Sequence, residues 1–94
     1  MFEEVYKDDD LVLLLEWDQD LPYIHHHFYN WSLSVHKKTI KEFDKIIHNL
    51  QSKGHKELWS YYDKENSNVD KFCNYYGFNK VGETPTQHIV LKEI

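Results

Sequence analysis

The chain's one thiol, Cys73, and a run of three imidazoles, His25-His26-His27, are the residues with the most evident chemistry. A cysteine becomes a nucleophile when a histidine activates it, but no spacing in the sequence sets a histidine beside Cys73. On the apolar side of a helix, a lone cysteine also serves as a small hydrophobe. If the His run is a strand, His25 and His27 share one face and His26 takes the other. Two imidazoles two residues apart would hold Zn²⁺ only if a third ligand converged, such as His88 or a carboxylate. No spacing identifies that ligand, and no metal site is assigned. The patterns G-x-S-x-G, H-E-x-x-H, C-x-x-C and the P-loop are all absent.

Carboxylates form the second constellation. Glu3, Glu4, Asp8, Asp9, Asp10, Glu16, Asp18 and Asp20 crowd the first twenty residues with Lys7 as the only cation there, whereas the remainder is slightly basic. One reading is a solvated hairpin with acidic turns. The other is an acidic face that docks a basic partner or mimics nucleic acid, which makes Asp8, Asp9, Asp10, Asp18 and Asp20 partner-binding candidates. Nucleic acid itself is a poor partner. The chain contains no arginine, the residue that reads phosphates and guanine edges bidentately. A formal net charge of -5 also opposes nonspecific binding to a polyanion.

The elements that position these groups fit one small domain: 94 residues leave no room for a second core. No apolar run approaches membrane-spanning length, and the mean hydropathy is -0.75, so no membrane role is expected. No basic segment followed by an apolar stretch opens the chain, so no signal peptide is expected. A single cysteine fits a reducing, cytoplasmic setting. Alanine is absent too, while Lys, Asn, Ile, Tyr and Phe are abundant, the usage of an AT-rich phage or low-GC bacterial genome. A domain this small and aromatic is a candidate homodimer.

Phe2–Tyr6 reads as a short strand, Leu11–Trp17 as an apolar central strand, and Tyr23–Leu33 as an aromatic third strand. Ile40, Phe43, Ile46, Ile47 and Leu50 then recur at helical spacing. Thr39-Ile40-Lys41-Glu42 is a capping-box pattern and Lys53-Gly54 a stop, which predicts a helix over 39–53. His55–Tyr62 is a strand. Val69, Phe72, Cys73 and Tyr76 mark a shorter helix ended by Gly77, and 78–83 and 87–93 are strands around Thr84-Pro85. The order β-β-β-α-β-α-β-β predicts an α/β sheet with both helices packed on it.

The stretch Asn66-Ser67-Asn68-Val69-Asp70-Lys71-Phe72-Cys73-Asn74-Tyr75-Tyr76-Gly77-Phe78 resembles a motif of the GNAT N-acetyltransferase superfamily. There, an Asn follows the fifth strand, and a short helix with an aromatic and a Tyr ends in Gly-Phe. The resemblance implies a GNAT-like mixed sheet over residues 2–94, lacking the family's N-terminal strand and first two helices. It also implies a CoA pyrophosphate site in the loop before the long helix. In this register that site is Val35, His36, Lys37, Lys38 and Thr39, with Asn66 nearby, and the loop lacks the family's glycines. Where active members commonly carry a Tyr that protonates the CoA thiolate, this chain has Cys73. Short relatives poor in that glycine loop are similar to acetyltransferase-like proteins of tailed phages, which share a Leu-Trp strand, here Leu58-Trp59. Two functions are therefore expected in turn. The first is a non-catalytic, phage-encoded protein that binds a protein partner, as a virion component or an inhibitor of a host factor. The second is an acetyl-CoA-dependent N-acyltransferase with Cys73 as its acid.

Overall fold

Leu11, Leu13 and Leu15 alternate along one strand and are almost wholly buried, and the fold is built around that stripe. The structure, a computed structural model, describes residues 1–66 and 69–94. In chain order the elements are β1 (Phe2–Lys7), β2 (Leu11–Asp18), β3 (Leu21–Phe28), α1 (Leu33–Ser52), β4 (Glu57–Asp63), α2 (Val69–Tyr76), β5 (Asn79–Glu83) and β6 (Gln87–Glu93). They form one mixed sheet in the order β1-β2-β3-β4-β6-β5. The α/β class and the order of elements agree with the sequence reading.

The two N-terminal hairpins are closed by local chemistry. Asp8 Oδ1 accepts the amides of Asp10 (2.8 Å) and Leu11 (3.0 Å), an Asx turn between β1 and β2. Gln19 (φ 51°) and Asp20 (φ 65°) both adopt the left-handed conformation that a two-residue hairpin between β2 and β3 requires. All other neighbouring strands pair antiparallel; β3 and β4 run parallel, joined by the α1 crossover. Tyr23 faces Trp59 in that parallel pair, and among the described residues no other position of the two strands is ladder-paired. Side chains hold them together instead: Ser60 Oγ, fully buried, donates to the Ile24 carbonyl at 2.6 Å.

Both helices cover the same sheet face. Phe43, Ile46 and Leu50 of α1 and Phe72 and Tyr76 of α2 pack on Leu11, Leu13, Leu15, Ile24, Leu58 and Val90 in a single core. Each such aliphatic or aromatic side chain contributes roughly 1.5–3 kcal/mol when removed from water.

The start of α1 differs from the sequence expectation. The third strand stops at Phe28 rather than Leu33, and the helix begins at Leu33 rather than Thr39. Ser32 is the N-cap: its backbone is extended and its hydroxyl accepts the Val35 amide at 3.2 Å. Thr39 lies fully buried within the helix and donates its hydroxyl to the Val35 carbonyl at 2.8 Å. The buried stripe is Val35, Thr39, Phe43, Ile46 and Leu50, whereas Ile40 is 37% exposed. A threonine on the core face continues the helical period by burying its methyl and bonding its hydroxyl one turn back. The other helix ends follow expectation: Gly54 (φ 89°) follows α1 and Gly77 (φ 77°) follows α2, both left-handed.

Candidate functional site

The point at which the parallel strands leave each other is where a doubly connected sheet usually takes a ligand, outside the carboxyl ends of its strands. Here β3 delivers His26 and Phe28, β4 delivers Tyr62, and α2 delivers Phe72 and Cys73. His26 stacks on Phe72 with ring centroids 4.8 Å apart and planes 6° apart. The Tyr62 hydroxyl is 3.3 Å from His26 Nδ1. Burial, helped by the flanking His25 and His27, pushes the His26 imidazolium down to about 4, so the ring is neutral at pH 7. Burial likewise raises Tyr62 above the ordinary phenol value. The chain's own rings thus occupy the helix-covered side of this crevice.

Cys73 is half-buried beside this cluster, and burial raises its thiol above the usual value. Its carbonyl accepts the amides of Gly77 (2.9 Å) and Phe78 (3.1 Å), which closes the helix. Among the described residues, no imidazole bonds to its sulfur. Tyr76, the last residue of the same helix, is pushed up to about 12 by burial, and its hydroxyl lies 3.3 Å from His36 Nδ1.

The predicted pyrophosphate loop is helix, and that is a correction to the sequence reading. Val35, His36, Lys37, Lys38 and Thr39 all lie within α1. The Val35 amide is held by Ser32 Oγ and the His36 amide by the Ser32 carbonyl at 2.9 Å. Val35 and Thr39 are core residues, and His36 packs between Trp31 and Tyr75. Lys37 is exposed. Lys38 reaches back to the β1–β2 turn, bonding Asp8 at 2.5 Å and Asp10 at 3.1 Å, which holds its ammonium protonated well above the usual range. In the segment that does precede the helix, the Tyr29 and Asn30 amides are held by the Asp10 carbonyl at 2.7 and 3.3 Å. Asn66 follows β4, its amide donating to the Asp63 carbonyl at 2.9 Å. Ser67 and Asn68 of the quoted motif lie outside the described residues.

The five candidate aspartates do not form one face. Asp8, Asp9 and Asp10 occupy the turn at one end of β2, and Asp18 and Asp20 the turn at the other, about 25 Å away along an eight-residue strand. Asp8 is also internally engaged. Lys38, chiefly, and Tyr6 both donate to its Oδ2, and these hydrogen bonds hold its carboxyl well below the usual carboxylate range. Asp9, Asp18 and Asp20 are exposed.

His25 and His27 share a face and His26 takes the other, as the alternation predicts. The imidazoles do not converge: His25 Nε2 meets Glu16 at 2.8 Å, His27 packs on Tyr29, and His88 lies 4.0 Å from Glu83. Among the described residues no three metal-ligating side chains come together.

Sequence reasoning missed a polar cluster on the sheet face opposite the helices. Glu16 Oε1 accepts from His25 Nε2 and from the Tyr61 hydroxyl (2.9 Å), and the His25 bond lowers its carboxyl. Tyr61 meets His25 edge-on at 4.8 Å. A shallow cleft of about 150 Å³ lies alongside, lined by Glu16, Tyr23, Tyr61, Gln87 and Ile89. The available signal was a carboxylate inside the most apolar strand of the chain.

No protein-family model and no curated protein sequence matches this chain. Among solved structures, it is similar to the ribosomal-protein-S5-alanine acetyltransferase from Vibrio fischeri, with a TM-score of 0.67 and 11% identity. The match covers 89% of this chain and 54% of that one, so the chain spans about half the length of the enzyme it resembles. With its six-stranded mixed sheet and its two helices on one face, the chain has a GNAT-like fold in a shortened form.

Proposed function

We propose that this protein uses a GNAT-like fold without acyl-transfer chemistry and acts by binding another protein. The carrying observation is the engagement of three amides around the start of α1, those of Tyr29, Asn30 and Val35. A pyrophosphate needs several open amides and a positive potential at a helix N-terminus. Here the Ser32 hydroxyl and the Asp10 carbonyl hold the Val35, Tyr29 and Asn30 amides. Of the two lysines in this stretch, Lys38 is paired with Asp8 and Asp10, and Lys37 is exposed. The proton donor that the resemblance assigns to position 73 is a half-buried thiol with a raised pKa. The chain's residue usage supports a phage origin, in which small proteins acting on host or virion components are one function class.

A second reading, CoA-dependent N-acyl transfer to an amine, is favoured by the structural likeness to an acetyltransferase. In that reading the exposed Lys37 meets the cofactor phosphates and Cys73 is the acid. Calorimetric titration with acetyl-CoA separates the two. No heat at millimolar ligand is expected. Binding at micromolar Kd, roughly -8 kcal/mol, would overturn the non-catalytic reading.

A further inference from the structure

Strand alternation puts Glu4, Glu16, Asp18, Glu57, Asp63 and Glu93 on the sheet face that carries neither helix; among the described strand residues Lys7 is the only lysine there, and His25 on the same face pairs with Glu16. The chain has sixteen carboxylates and eleven lysines, for a net charge of -5. The other carboxylates and lysines are therefore equal in number, and the whole excess negative charge lies on this face. Its middle is apolar. Leu14, Tyr23, Trp59, Tyr61, Ile89 and Leu91 are half-buried there by one another rather than by a covering layer. Trp59 Nε1 is buried without a hydrogen-bond partner among the described residues.

Charge and apolar area are also arranged in rows. The pairing sets Asp18 beside Leu21 and Glu57 beside Glu93, with Leu21 and Glu57 two residues before the Tyr23–Trp59 pair. This makes an acidic row across four strands at one end of the sheet, adjoining the aromatic middle. A sheet face with an apolar middle is normally completed by a helix. A second copy packed on this face about a two-fold axis along the strands would oppose acidic row to acidic row, which is repulsive.

We propose that the helix-free sheet face docks a cationic amphipathic helix of a protein partner, its apolar stripe on Tyr23, Trp59, Tyr61 and Ile89 and its lysines or arginines on Asp18, Glu57 and Glu93. The inference deepens the interaction reading above and rests on it. The helix-in-groove mode supplies affinity through the apolar anchors, and the charges fix orientation and reject acidic competitors.

The probe is a pair of synthetic helical peptides of about 18 residues, long enough to hold helix on a surface. Both carry the same Leu/Trp face, one flanked by Lys and the other by Glu, and each is titrated into the isotope-labelled protein. The Lys peptide is expected to move amide signals of β2, β3, β4 and β6. Its affinity is expected to fall about tenfold, or 1.4 kcal/mol, in the Glu57→Lys/Glu93→Lys variant. Added salt should weaken it as well. Asp44→Lys, an exposed change on α1, should leave binding unaltered. Equal binding of the Glu peptide, signals confined to the helices, or no response to either peptide would overturn the proposal. So would concentration-dependent shifts of the same strands without peptide, which would mean that a second copy covers the face. Acetyl-CoA binding overturns only the non-catalytic reading, whereas peptide silence with acetyl-CoA silence overturns only this surface.

Discussion

His26 lies flat on Phe72, its ring 4.8 Å from the phenyl and nearly parallel to it, at the end of the only parallel strand pair among the described residues. The contact binds β3 to α2, and burial keeps its imidazole neutral. The unfolded chain takes up this proton near pH 6.5 and the folded chain only near 4. Between those values the unfolded state binds more protons, so stability is complete above about pH 6.5 and declines as pH falls toward 4. The expected loss is about 3 kcal/mol. Urea unfolding at several pH values between 7.5 and 4 measures it. His26→Phe should flatten the curve over this window; a wild-type curve already flat there would refute the account.

The start of α1 is testable by two substitutions. Ser32→Ala removes the cap on the Val35 amide and should cost about 1 kcal/mol. Thr39→Asp would be harmless at a true N-cap. Inside the helix it buries an unpaired carboxylate on the core face and should cost several kcal/mol, about 3 or more. Thermal unfolding of the two variants distinguishes the two helix starts, and a mild Thr39→Asp would restore the later one.

Asp8 and Asp9 are neighbours with different roles. Asp8 accepts two backbone amides, the Tyr6 hydroxyl and the Lys38 ammonium, while Asp9 is exposed. Asp8→Ala should lower Tm clearly and Asp9→Asn should not. Because the Asp8 carboxyl is held below its usual value, its contribution is present above about pH 4 and is lost as pH drops further. That window lies below the one governed by His26, so the two acid transitions can be separated in one titration.

Cys73 is expected to be a poor nucleophile. Its thiol is half-buried and its pKa is raised by burial, so the thiolate is scarce at pH 7. Alkylation by iodoacetamide, followed by mass spectrometry, should be slower than that of free glutathione at the same pH. Reaction faster than glutathione would show an activated thiol and reopen a chemical role for this position.

Gly77 combines a left-handed backbone (φ 77°) with a close approach: a Cβ there would meet Lys92 Nζ at 3.0 Å. That ammonium donates to the Tyr76 carbonyl at 2.7 Å. Gly77→Ala should therefore cost about 1–2 kcal/mol from the backbone, plus the disturbed lysine contact. Gly54→Ala, with open space around its Cβ, should cost the backbone share alone. Chemical denaturation of the two variants side by side checks the difference.

Local patterns made the element order readable. Period-2 and period-3.6 apolar spacing, Gly54, Gly77 and the Thr84-Pro85 turn are encoded within a few residues of each other, and the motif ending in Gly77-Phe78 pointed to the fold that the structure has. The α1 boundary was misread because Thr39-Ile40-Lys41-Glu42 satisfies a local capping rule. Only the core decides that Thr39 and Val35 continue the buried stripe and leave Ile40 toward solvent. With that boundary, residues 35–39 became helix rather than loop. The acidic N-terminus was equally visible in sequence, yet a strand's length separates Asp8 from Asp18, and Lys38, thirty residues on, pairs with Asp8 and Asp10 of the first turn. Composition by itself fixed the net charge. Where the excess lies depends on which strands pair and which face the helices cover, and those are long-range choices that no local spacing records.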